Sequence, residues 1–271
     1  MPAKNPDSFQ DDLTRCVQRR GSRSIGSKGH AFKEALLRAF PETDIRLYIP
    51  SEFGVDHTIH DFPHPEWDAK KHHFAIAQEV LPKSTKVIRV FVGLFLEDSI
   101  GWWFGFDTKK GVYEAVGSAE KKASFTSVDD VGKVLAVLAG MSVEELKKVP
   151  DQLHISGTSA SMSEVAKLMV DAQNMPRSEI SVKTIDAAEY RCKTMESGAR
   201  DPAGYLRFLI GNRSIDHRSK AEGGIGDDNE LVELDGSGSL WRRNPRQTLD
   251  QLNSFQHSGE ARSVAKRAEG L

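Results

Sequence analysis

The tightest constraint on this chain is a short apolar run that stops at a proline, bends at a glycine and is followed by a pair of lysines. Ile45-Arg-Leu-Tyr-Ile49 reads as a buried strand. Pro50 ends it, because proline has no amide hydrogen to give to a sheet ladder. Gly54 then lets the backbone turn sharply, since it carries no Cβ. In an open α/β sheet, ligands bind just beyond the carboxyl ends of the strands. Ser51 to Asp56 therefore falls where a substrate or cofactor is expected. Lys70 and Lys71, in the next helix, can point back over the bend.

Strand and helix patterns alternate along the chain, which defines an α/β fold class. Helices are expected at 30–40, 67–81, 128–140, from Ser159 or Ser161 to Gln173, at 187–197 and 201–209, with a short closing helix at 248–255. Ser127 or Asp129 can accept from the first free amides of the third of these. Strands are expected at 45–49, 86–90, 112–116, 122–127, 152–156 and 180–185. Residues 211–245 read as loops.

Net charge is −2, so there is no basic field to hold nucleic acid. No apolar run approaches the roughly 20 residues of a membrane span, and the N-terminus has no apolar signal core. Cys16 and Cys192 are too few for a disulfide framework, which points to a reducing, cytoplasmic setting. Asn212-Arg-Ser214 matches a glycosylation sequon that carries meaning only in a secreted chain.

Pro50-Ser51-Glu52-Phe53-Gly54-Val55-Asp56, with a lysine in the following helix, resembles the NmrA-like and isoflavone-reductase-like family, an atypical branch of the short-chain dehydrogenases. The resemblance covers about residues 30–255. It implies an incomplete doubly wound, Rossmann-like parallel sheet with a smaller α/β substrate domain. The natural division is a lead-in at 1–29, a remnant NAD(P)-binding domain at 30–140, substrate-domain elements at 141–255 and a disordered tail at 256–271.

The family's opening strand and glycine-rich turn have no counterpart here. Gly21, Gly26 and Gly29 follow no buried strand, and a serine before Lys28 breaks the likeness to a phosphate loop. By resemblance, Ile45–Ile49 is the fourth strand, which pairs with the first. Without strands one to three it becomes an exposed edge. Residues 1–28, a protein partner or a second copy would cover that edge, or the chain is a shortened gene product; the last is the favoured expectation.

The resemblance also implies roles. Lys71, followed three residues on by apolar Phe74, fits the catalytic lysine's spacing better than Lys70, the alternate. The rival reading is a pair of surface lysines. Ser51, Glu52, Phe53 and Gly54 would flank a nicotinamide, or would merely end a strand. Phe91-Val-Gly-Leu-Phe95 resembles the family's substrate-side segment, and Trp102 and Trp103 follow it as an aromatic lid; Phe91, Phe95, Trp102 and Trp103 are the expected substrate pocket, with core filling as the rival. NADP is the family's usual cofactor, with NAD as the other option.

Five of the nine histidines lie between 57 and 73, but their spacing matches no zinc pattern, so no metal is expected. There is no Gly-x-Ser-x-Gly elbow and no Tyr-x-x-x-Lys pair. The expected function is an NAD(P)H-dependent reductase acting on a small, perhaps aromatic, molecule. The alternative is a non-catalytic, nucleotide-sensing regulator.

Overall fold

The structure is a computed structural model and describes residues 27–40, 44–173, 180–197 and 202–232. Gly21, Gly26, the helix expected at 248–255 and the tail lie outside the described residues. The helices are α1 (Ser27–Ala39), α2 (Pro65–Val80), α3 (Leu96–Ser99), α4 (Val128–Gly140), α5 (Val143–Leu146), α6 (Met162–Gln173), α7 (Ala187–Glu196) and α8 (Ala203–Gly211). The strands are β1 (Leu47–Tyr48), β2 (Lys86–Val87), β3 (Arg89–Phe91), β4 (Leu94–Phe95), β5 (Phe106–Asp107), β6 (Val112–Val116), β7 (Lys122–Thr126), β8 (Gln152–His154), β9 (Thr158–Ser161) and β10 (Ser181–Ile185). Among the described residues, no helix is long and apolar enough to cross a membrane.

The fold is mixed α/β with parallel ladders at its centre. β2 and β3 form one run interrupted only at Ile88; it pairs in parallel with β1 on one side and with β8 on the other. β4 pairs in parallel with β7, which meets β9 antiparallel. β6 pairs in parallel with β10 and antiparallel with β5. Parallel neighbours need crossover connections, and here three ladders (β3–β8, β7–β9 and β6–β10) join residues on either side of position 140. The two expected halves therefore interleave. β1 is only two residues long with both half-buried, and no described strand pairs with its outer side. Among the described residues β1 is therefore at an edge.

Side chains alternate across β2–β4, so the run has two different faces. Ile88, Val90 and Val92 are fully buried against Val131, Val134 and Leu138 of α4. Each such side chain stabilises the fold by about 2 kcal/mol. Helix α4 begins where its sequence says, with Ser127 Oγ accepting from the Asp130 amide at 3.1 Å. α6 begins with a reciprocal box: Ser161 Oγ accepts from the Glu164 amide, and the Glu164 carboxylate accepts from the Ser161 amide. The opposite face of the run carries Val87, Arg89 and Phe91 toward α1 and α2, where Leu37, Ile76, Ala77 and Leu81 form a smaller core.

Gly93 joins β3 to β4 with φ at +70°, and a Cβ there would lie 2.4 Å from the Ser124 carbonyl oxygen of β7. No side chain fits that approach. Gly93→Ala is expected to lower the unfolding free energy by about 3 kcal/mol. Chemical denaturation measures this, and an unchanged midpoint would refute the close packing of β4 on β7.

Candidate active site

The bend after β1 is held by the neighbouring strand run. Pro50 is buried, and its carbonyl accepts from the Glu52 amide at 2.7 Å. The Phe53 amide donates to the Val90 carbonyl at 3.1 Å. The Gly54 carbonyl accepts from both the Val92 and Gly93 amides. This stitching fixes the bend at the carboxyl end of β3. Phe53 adopts a φ of +31°, which a non-glycine residue holds only when its surroundings force it. Ser51 is exposed, Phe53 and Gly54 are half-buried, and Glu52 is turned inward, 3% exposed. Of the four residues expected to flank a nicotinamide, Glu52 thus lies beneath the bend rather than on its open side.

Helix α2 starts at Pro65, with the His64 ring nitrogen Nδ1 accepting from the Glu66 amide. Histidine is an uncommon cap, so the sequence placed this start two residues late. Adjacent residues on a helix point about 100° apart, and here that separates the lysines. Lys70 reaches back to the bend: its Nζ donates to the Glu52 carbonyl at 2.5 Å and lies 4.0 Å from Glu52 Oε2. Lys71 instead lies 3.8 Å from Asp68 on the surface, with 41% of its side chain exposed against 27% for Lys70. The lysine over the bend is therefore Lys70, not the expected Lys71. Phe74, three residues beyond Lys71, packs on Arg89 and fixes the helix rather than the lysine.

Burial lowers the Lys70 ammonium below the usual lysine range, against the opposing charge of Glu52. Burial raises the Glu52 carboxyl, outweighing the nearby cations Lys70, Arg89 and Lys33. His57 Nδ1 lies 3.4 Å from Glu52 Oε2. Burial, helped by the Lys70 charge, holds His57 at about 4, so it is neutral at pH 7.

A second polar group continues from Asp56. Its Oδ1 accepts from the Thr58 hydroxyl at 2.6 Å and amide at 2.9 Å, and its Oδ2 lies 3.0 Å from His154 Nε2. Burial alone would raise the Asp56 carboxyl, but the hydrogen bonds from His154 and Thr58 outweigh it and hold it at about 2. An ionised carboxylate only accepts, so His154 Nε2 carries the hydrogen. The His154 ring stacks on Phe91, and its backbone amide donates to Asp228 at 2.7 Å. His217 sits behind it with Nδ1 3.0 Å from the Ile155 carbonyl, and burial lowers it to about 4. Nothing in the spacing of residues 56, 154, 217 and 228 announces this cluster; the β3–β8 register sets His154 beside Phe91, and loop residues close around it.

The other expected residues are dispersed. Phe91 is fully buried under His57 and His154. Phe95 packs with Phe53 against the β3–α4 core, whereas Trp103 packs against the core that contains Phe104 and Phe106 and donates to the Asp98 carbonyl at 3.0 Å. Trp102 is 64% exposed. The histidines of 57–73 also separate: His60 packs on Trp67, His64 caps α2, His72 lies near Glu34, and His73 near the His30 carbonyl. Among the described residues, no group of three His, Cys, Asp or Glu side chains is placed to hold a metal ion.

No protein-family model matches the chain, and no curated protein matches it. Solved structures do. Isoflavone reductase superposes with a TM-score of 0.55 at 14% identity, over 93% of this chain and 88% of that one. The binary complex of leucoanthocyanidin reductase with NADPH from Vitis vinifera gives 0.53 at 14% identity, over 74% and 68%. AtPrR2 with NADP+ and (+)pinoresinol gives 0.53 at 13% identity, over 78% and 71%. The fold is an α/β, Rossmann-like one. More narrowly, it is the fold of the isoflavone-reductase-like reductases.

Proposed function

We propose that this chain is a nicotinamide-dependent reductase of the NmrA-like and isoflavone-reductase-like family, with NADP(H) as its cofactor and Lys70 as its catalytic residue. The carrying observation is the Lys70 ammonium, which bends back 18 positions along the chain to the carboxyl end of β1 and β3. Parallel sheets of this class bind their ligands at that end. The described residues suit the nicotinamide end of such a cofactor: Ser51 is open, Phe53 and Gly54 are partly open, and a lysine is within reach. They include no glycine-rich turn for the pyrophosphate.

When bound, the cofactor supplies a hydride. Lys70 polarises the accepting group and gives or takes its proton, a role for which burial has already lowered its basicity. Glu52, below, holds Lys70 through its backbone carbonyl, while its buried carboxyl lies between neutral His57 and the ammonium. Phe53 offers an apolar edge. The reading that the substrate is a small, aromatic molecule draws support from the pinoresinol complex of the similar fold.

Titration with NADPH, followed by nicotinamide fluorescence, tests the proposal. Saturable binding in the micromolar range is expected. No binding at millimolar NADPH would remove the reductase reading. Binding of either redox form without turnover would favour the nucleotide-sensing regulator instead.

A further inference from the structure

The face of the β2–β3 run that meets α2 carries an arginine where packing alone would favour an apolar side chain. Arg89 is 7% exposed. Its guanidinium carbon lies 4.0 Å from the centre of the Phe74 ring on α2 and 5.6 Å from that of Phe91. Its Nε is buried with no hydrogen-bond partner, and no described residue accepts a hydrogen bond from the guanidinium. Glu52 is close enough to feel its charge, but the Glu52 carboxyl is turned to His57 and Lys70.

A charge taken out of water without a partner is costly. The two aromatic rings offset part of this by a cation–π attraction. Its N–H donors, buried Nε among them, have no hydrogen-bond acceptor among the described residues. The forked edge that carries them is the part of arginine that matches a planar, two-oxygen anion. It lies on the same side of the sheet as Lys70 and beside the same Glu52.

We infer that Arg89 recognises a carboxylate on the small molecule that binds at the bend, so that the substrate is an acid, with Phe74 and Phe91 holding the guanidinium in place for it. This rests on the reading of the bend as the active site, but it concerns the substrate and not the cofactor. Arg89 would orient the acid by its fork while Lys70 addresses the reducible group. The same fork would accept a phosphate, so the cofactor is the rival source of the anion.

Calorimetric titration of the full chain with benzoate, without cofactor, tests this. One saturable site is expected. Arg89→Met should weaken it by about tenfold or more, the usual worth of a charged hydrogen-bonding pair, and leave NADPH affinity within about twofold. Arg89→Lys keeps the charge and guards against a folding failure of Arg89→Met; it too should weaken benzoate, because the fork is gone. Absence of benzoate binding to the wild type, or equal affinity in wild type and Arg89→Lys, overturns the inference. Inorganic phosphate binding more tightly than benzoate overturns the carboxylate assignment in favour of a cofactor phosphate. If benzoate binds through Arg89 while NADPH does not bind, the reductase reading fails and the acid site stands; the reverse result removes the acid site alone.

Discussion

Lys70→Met is expected to lower turnover about 1,000-fold while NADPH affinity stays within about twofold of wild type. The side chain that is lost reaches back to the Glu52 carbonyl in the bend. Methionine keeps its length and apolar stem, so helix α2 should still pack through Trp67, Ile76 and Ala77. Lys71→Met is the internal control. Its ammonium meets Asp68 at the surface, where an i,i+3 pair contributes little. Steady-state kinetics of the two variants decide the matter. Equal losses, or a larger loss for Lys71→Met, would mean that the contact between Lys70 and Glu52 is structural and that the mechanism lies elsewhere.

Asp56→Asn is expected to lower the unfolding free energy at pH 7 by on the order of 2 kcal/mol. The Asp56 carboxyl is held at about 2 in the folded chain against an ordinary 3.8, so the native state favours its charged form. That contribution is fully present above pH 3.8 and fades as pH falls toward 2. The gap between wild type and variant should therefore narrow to about half by pH 3. The comparison between variants is needed because the wild-type profile mixes opposing contributions. His57, His60 and His217 are held at about 4 by burial, and each removes stability as pH falls from 6.5. Glu97, raised to about 7 by burial, adds stability over the same range as it takes up a proton. Denaturant titrations at several pH values measure the gap. A gap that does not change with pH would show that Asp56 and His154 are not a charge-assisted pair.

Much of the local structure follows from short stretches of sequence. The strand at 112–116 and the helix at 128–140 have the expected bounds, because an apolar pattern coincides there with a glycine or a serine cap. The short helix Val143–Leu146 has a capping box in Ser142 and Glu145, but its four residues show no periodicity that would reveal it. The early start of α2 is hidden in the sequence because its cap is a histidine.

The chain's residues by themselves determined that a strand ends at Pro50, that a bend follows, and that a lysine-bearing helix comes next, since each depends on neighbours a few positions away. Which lysine faces the bend was settled only by the docking of α2, which turns Phe74 and Ile76 to the sheet and so swings residue 70 inward and residue 71 outward. The meeting of Asp56 with His154, 98 positions apart, and the burial of Arg89 beneath Phe74 were likewise decided by tertiary packing. Charge and burial at such sites depend on what lies across the sheet, and one-dimensional spacing carries no record of that.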